Sequence, residues 1–150
     1  SKTPGLAYEQ AMVAPNSTLP VQEIGYNYRV EFDLDGAKEA MGTELFRSKD
    51  AVFYLSDPIR GMLGYARDGY LNTFTYPVQA GQRMNITVEG DNKATRLFIN
   101  GKQVEELNIQ ERWMDKEGKS RMRNVRTLVF PLETAGNFKS KITNLKVFQK

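Results

Sequence analysis

Between Tyr26 and Asp35 apolar and polar residues alternate without a break. Tyr26, Tyr28, Val30, Phe32 and Leu34 stand against Asn27, Arg29, Glu31, Asp33 and Asp35, the period of two expected of a strand with one buried face. Short apolar or aromatic runs follow at 44–48, 51–56, 62–67 and 70–76, separated by Gly, Asp and Pro, a spacing typical of all-β domains. Asp68-Gly69 between two of these runs predicts a two-residue type I′ hairpin, in which Arg67 pairs with Tyr70 and Tyr65 with Asn72. Met84, Ile86 and Val88 alternate with Asn85, Thr87 and Glu89, and a turn follows at Gly90-Asp91-Asn92-Lys93. The run at 95–99 enters Asn100-Gly101, a strong hairpin signal, and returns at 102–107. A polar stretch at 110–124 interrupts the pattern before closing strands at 125–132 and 141–148.

The first twenty residues carry Pro4, Pro15, Pro20 and Asn16-Ser17-Thr18, with weak periodicity. They read as a linker-like arm, 1–20, with a first edge strand that ends near Ile24, and one domain at 21–150. No segment has the length and amphipathic period of a helix, and no repeat of fixed period is present. Many short strands with hairpin connections argue for an all-β fold, an antiparallel two-sheet sandwich of the jelly-roll type. A closed eight-stranded barrel is the structural alternative.

Composition narrows the chemistry. The 150 residues contain no Cys and no His, which excludes thiol nucleophiles, disulfides, Ser-His-Asp catalysis and His- or Cys-based metal sites. A net charge of +3 from 21 basic and 18 acidic residues is a narrow surplus and does not point to nucleic acid. No apolar stretch approaches the ~20 residues that span a bilayer. The opening Ser1-Lys2-Thr3-Pro4-Gly5 has no initiator Met, which suggests a segment cut from a longer chain.

Three pieces carry a family resemblance. Met84-Asn-Ile-Thr-Val-Glu-Gly-Asp-Asn-Lys-Ala-Thr-Arg-Leu-Phe-Ile-Asn-Gly-Lys102, Gly42-Thr43-Glu44-Leu45-Phe46-Arg47-Ser48 and Phe138-Lys-Ser-Lys-Ile-Thr-Asn-Leu-Lys-Val-Phe148 resemble laminin-G-like domains of the concanavalin A-like lectin/glucanase superfamily. The pattern also resembles the accessory β-sandwich at the C-terminal end of bacterial glycoside hydrolases of the β-N-acetylhexosaminidase type. That resemblance implies a non-catalytic accessory or carbohydrate-binding role, with the hydrolytic carboxylates in a separate catalytic domain. It also implies a periplasmic or extracellular location.

Candidate sites follow from residue types, each beside a plainer reading. Glu31, Asp33 and Asp35 lie on one strand face, and laminarinase-like glucanases carry their acids in a similar Glu-x-Asp-x-Glu run. Two carboxylates about 5.5 Å apart could support retaining hydrolysis, although Asp35 is one methylene short of Glu. The plain alternative is a solvated strand face. Tyr65, Arg67, Asp68, Tyr70 and Asn72 combine aromatic faces with planar polar groups, the composition of sugar sites; core packing and a cross-strand cation-aromatic pair are the alternative. Trp113, the one Trp, is a candidate stacking platform or a cap on the core edge. The basic cluster Lys116, Lys119, Arg121, Arg123 and Arg126 could recognise carboxylated or sulfated glycans, an acidic partner surface, or nothing but water. Asp91-Asn92, Asp33-Asp35 and Asp57 offer oxygens to calcium, but a full set of six or more is not visible, so no cofactor is expected. The expected partners are an oligosaccharide or polysaccharide and the parent enzyme's catalytic domain.

Overall fold

The computed structural model describes residues 5–22, 27–37, 39, 43–48, 51–55, 63–67, 70–76, 81–125, 128 and 130–149; for 51, 52, 54, 55, 63–67 and 70–73 only the backbone is described. The strands in chain order are β1 (Gly5–Met12), β2 (Tyr28–Asp35), β3 (Thr43–Arg47), β4 (Ala51–Leu55), β5 (Leu63–Arg67), β6 (Tyr70–Thr73), β7 (Arg83–Gly90), β8 (Thr95–Ile99), β9 (Lys102–Leu107), β10 (Gln110–Met114), β11 (Ser120–Asn124), β12 (Glu133–Thr134) and β13 (Lys141–Gln149). One sheet has the order β1-β13-β2-β7-β8-β9, a second β12-β3-β4-β5-β6, and β10 and β11 form a separate two-stranded sheet. Every pairing is antiparallel. The fold is therefore the predicted all-β sandwich.

The alternation at 28–35 has the expected consequence. Tyr28, Val30, Phe32 and Leu34 are buried while Arg29, Glu31 and Asp33 are partly exposed and Asp35 fully so. Phe32 meets Phe46 and Phe53 across the sandwich in edge-to-face contacts with centroids 5.6–5.7 Å apart. Such contacts add about 0.5–1.5 kcal/mol per pair beyond the area they bury. Leu45, Ile86, Val88, Leu97, Leu128, Leu132, Leu145 and Val147 complete the layer.

Three segments differ from the sequence reading. The expected arm holds β1, an eight-residue edge strand on β13, and then crosses to the second sheet, where Val13, Leu19 and Val21 enter the core. Pro15 and Pro20 sit in the crossing, outside any named strand, where no ladder needs their missing N–H. At 125–132 no strand is formed among the described residues. Val125, Leu128, Phe130 and Leu132 are buried outside any named strand, with a cis Phe130-Pro131 bond. The polar stretch at 110–124 is the β10–β11 hairpin.

Turn chemistry sets the connections. Asn100 (φ 51°) and Gly101 (φ 81°) both adopt the left-handed region, as the β8–β9 hairpin requires. The Asp91 carboxylate accepts from the Lys93 and Ala94 amides at 2.8 and 2.9 Å and from Arg96 at 2.9 Å. Burial opposes its charge, but the Arg96 hydrogen bond, the two amides and the guanidinium charge outweigh that and hold Asp91 below the usual carboxylate value. The β7–β8 turn is thereby a rigid support for what packs on it.

Candidate functional site

The β10–β11 hairpin rests on that turn. Asn124 is buried, and its side-chain amide donates to the Asp91 carbonyl at 3.2 Å and to Thr95 Oγ1 at 3.1 Å. Its backbone N–H donates to Asn92 at 2.6 Å, and Gln110 Nε2 reaches the Lys93 carbonyl at 2.9 Å. The far end is closed by Asp115, whose Oδ1 accepts from the Glu117 and Lys119 amides at 3.0 and 2.9 Å and whose Oδ2 accepts from Arg121 Nε at 2.6 Å. The Arg121 hydrogen bond, then the Lys119 and Glu117 amides, hold Asp115 below its ordinary value against a desolvation penalty. Gly118 takes the left-handed conformation (φ 81°) that this turn needs.

Between these ends one face of the hairpin carries Glu111 and Trp113 opposite Arg123 and Arg121. Arg123 Nε donates to Glu111 at 3.0 Å, and its guanidinium carbon lies 4.9 Å from the Trp113 ring centroid, a cation–π distance. Trp113 is half-buried. It lines an open concavity of about 760 Å³ with Asn92, Arg121, Met122 and Arg123. The arrangement offers an apolar ring face beside planar donors and acceptors, which is what a saccharide needs.

The other predicted residues are placed differently. In the β5–β6 hairpin Tyr65 stands opposite Asn72 and Arg67 opposite Tyr70, the expected register. Asp68 lies outside the described residues, as do the side chains of the other four. Backbone position 63 is opposite Phe53 and position 65 opposite Ala51. Opposed residues share a side of a sheet, and Phe53 and Phe74 are buried. Backbone pairing thus sets positions 63, 65 and 72 in register with β4, while the pair Arg67 and Tyr70 lies past the last described β4 partner. The opposite side of this sheet carries Arg47, which donates through Nε and Nη2 to Glu44 and stands opposite Glu133.

Glu31, Asp33 and Asp35 do share the outer face of the six-stranded sheet, but each has polar company. Asp35 is flanked in register by Lys141 and Arg83, and Glu31 by Lys146. Asp33 accepts from Asn144 at 2.9 Å, Asn85 at 3.0 Å and Arg83 at 3.3 Å. The amides of Asn144 and Asn85, with Arg83 and against partial burial, lower its pKa. With Lys141, Arg83 and Lys146 beside the three carboxylates, the row is a charge-paired outer surface. Of the calcium candidates, Asp33 and Asp91 are engaged as described and Asp57 lies outside the described residues.

No protein-family model and no curated protein sequence matches the chain. Solved structures do. A galectin of Caenorhabditis elegans superposes with a TM-score of 0.59 at 13% identity, covering 93% of this chain and 94% of the galectin. Domain 4 of an extracellular arabinanase from Geobacillus stearothermophilus, solved with arabinotriose, gives 0.52 at 16% identity over 92% of this chain and 65% of that one. Trypanosoma rangeli sialidase gives 0.50 at 9% identity over 82% of this chain and 20% of the sialidase. These likenesses show the fold, an antiparallel jelly-roll sandwich.

Within this jelly roll the sequence points to Trp113 and the basic residues after it, but not to what surrounds them. Asn92, Met122, Glu111, Asp115 and Asn124 complete the site. A signal for them was present: Glu111 and Trp113 alternate with Arg112 and Met114, Arg121 and Arg123 flank Met122, and Asp115-Lys116-Glu117-Gly118 lies between. That is a short hairpin with opposite charges facing across the strands.

Proposed function

We propose that this chain is a carbohydrate-binding accessory domain of a secreted bacterial glycosidase, of the β-N-acetylhexosaminidase type, and does not itself break bonds. The observation that carries the reading is the concavity in which Trp113 lies beside Arg121, Arg123 and Asn92. The jelly-roll fold supports it, since its structural neighbours include a galectin and an arabinanase domain solved with arabinotriose. The likeness to one fifth of a sialidase supports a place as one domain of a larger glycosidase. In this role the domain raises the local concentration of glycan at a catalytic domain elsewhere in the polypeptide. The tip of the β5–β6 hairpin, with Arg67, Asp68 and Tyr70, is a second candidate contact, with Tyr65 and Asn72 next along its two strands. The proposal needs no metal, so binding should survive a chelator.

A glycan array containing N-acetylhexosamine and acidic oligosaccharides, with Trp113→Ala and Tyr70→Ala variants, tests this. Binding that disappears in Trp113→Ala is the expected result. Absence of binding to any glycan would overturn the reading and leave a structural domain that docks on its parent enzyme. Glucan hydrolysis by the chain that is abolished by Glu31→Gln would overturn it in favour of a glucanase.

A further inference from the structure

The basic run in the β10–β11 hairpin suggests an acidic ligand, but the two arginines that line the concavity are paired. Arg121 gives Nε to Asp115, whose side chain is 12% exposed, and Arg123 gives Nε to Glu111, whose side chain is 22% exposed. Each guanidinium beside Trp113 thus carries its own counter-charge within 3.0 Å. An anionic ligand in the concavity would meet two ion-pair dipoles in place of two unneutralised cations. At the same time it would crowd the carboxylates of Asp115 and Glu111. The stacking surface is also one-sided, because Arg123 occupies one face of the indole.

The geometry points to an uncharged saccharide as the ligand of this site, stacked on the face of Trp113 that Arg123 does not cover, with its hydroxyls read by the Arg121–Asp115 pair. This inference rests on the carbohydrate-binding reading and narrows it. A paired guanidinium and carboxylate suit a hydroxyl, which both donates and accepts, better than they suit a sulfate or carboxylate, which only accepts. Arg121 is suited to the task because its side chain is 53% exposed while its Nε is fixed by Asp115. The Asp115 contacts to the Glu117 and Lys119 amides tie that guanidinium to the backbone of the turn. Asp115 is accordingly a positioning residue and Arg121 the specificity-determining one.

The test is a titration of the chain with uncharged oligosaccharides and with their sulfated or uronic-acid counterparts, at about 0.05 M and about 0.5 M salt, a range over which the screening length falls about threefold. Uncharged ligands should bind with less than about a twofold change across that range, and Arg121→Gln should weaken them about tenfold by removing charge-assisted hydrogen bonds. Asp115→Asn, which leaves Arg121 without its counter-charge, should raise affinity for the acidic series relative to the uncharged one. Preferential, Trp113-dependent binding of acidic glycans that falls steeply with salt would overturn this inference while leaving the carbohydrate-binding reading in place. Binding of uncharged glycans unaffected by Arg121→Gln would remove the assigned role of Arg121. If Trp113→Ala changes nothing with any saccharide, the site reading itself fails.

Discussion

Asn124 is the joint between the hairpin and the jelly roll, and Asn124→Ala should loosen the one while sparing the other. The substitution removes two side-chain hydrogen bonds, to the Asp91 carbonyl and Thr95 Oγ1. The side-chain oxygen Oδ1 of Asn124 has no hydrogen-bond partner among the described residues, so its loss costs nothing on that side. At about 1 kcal/mol net per bond the hairpin base loses about 2 kcal/mol, which corresponds to about 30-fold faster exchange of amides that exchange by local opening. Asn124→Asp should be worse at neutral pH, because it sets a buried carboxylate against the Asp91 carbonyl, with about 3–5 kcal/mol expected for an uncompensated buried charge. Hydrogen exchange read separately for 110–124 and for 83–99 distinguishes the two regions. The reasoning is refuted if the two accelerate equally in Asn124→Ala, or if 110–124 does not change at all.

Other outcomes follow from the same contacts. A Cβ on Gly90 would lie 2.5–2.7 Å from Cε1, Cζ and Oη of the buried Tyr28 ring, so Gly90→Ala should cost about 1–3 kcal/mol by overpacking and lower Tm by several degrees in a thermal melt, at about 2–4 °C per kcal/mol; an unchanged Tm would show that the ring yields. Asp33, Asp91 and Asp115 all have folded pKa values below the ordinary one. Their contribution is therefore complete above the unfolded value of about 3.9 and is lost as pH falls through the lowered folded values. With no His or Cys in the chain, urea midpoints should be level from about pH 6 to 8 and fall below about pH 4; a drop between pH 6 and 5 would contradict this. Glu31→Gln, on the outer face of the six-stranded sheet, should leave glycan affinity unchanged in the same titration that reads Trp113→Ala.

Strand periodicity was legible wherever one face is buried and the other wet. The span 28–35 reads directly as β2, and Asn100-Gly101 as a hairpin turn, because both depend on local rules: the pleat and the positive φ. The register of Arg67 with Tyr70 followed from turn length alone. At 5–12 periodicity is faint because β1 is an edge strand with most positions exposed. The apolar run at 125–132 looks like a strand because burial and strand formation leave the same mark on a sequence, and here the described residues are buried without belonging to one. Trp113 could be picked out as an aromatic among charges, but its neighbours could not, since Asn92 approaches it from the β7–β8 turn and Asn124 fixes that approach.

The amino-acid sequence by itself determined that this is an all-β sandwich without thiol or imidazole chemistry, because alternation and composition are properties of the chain alone. Tertiary structure decided which side of each two-faced strand is core. It laid β1 along β13 and set Arg121 and Arg123 of the hairpin beside Asp115 and Glu111. The reason is physical: a period of two divides residues into two sets, but what covers each set, and which charge meets which, depends on strands that are distant in sequence and adjacent only after folding.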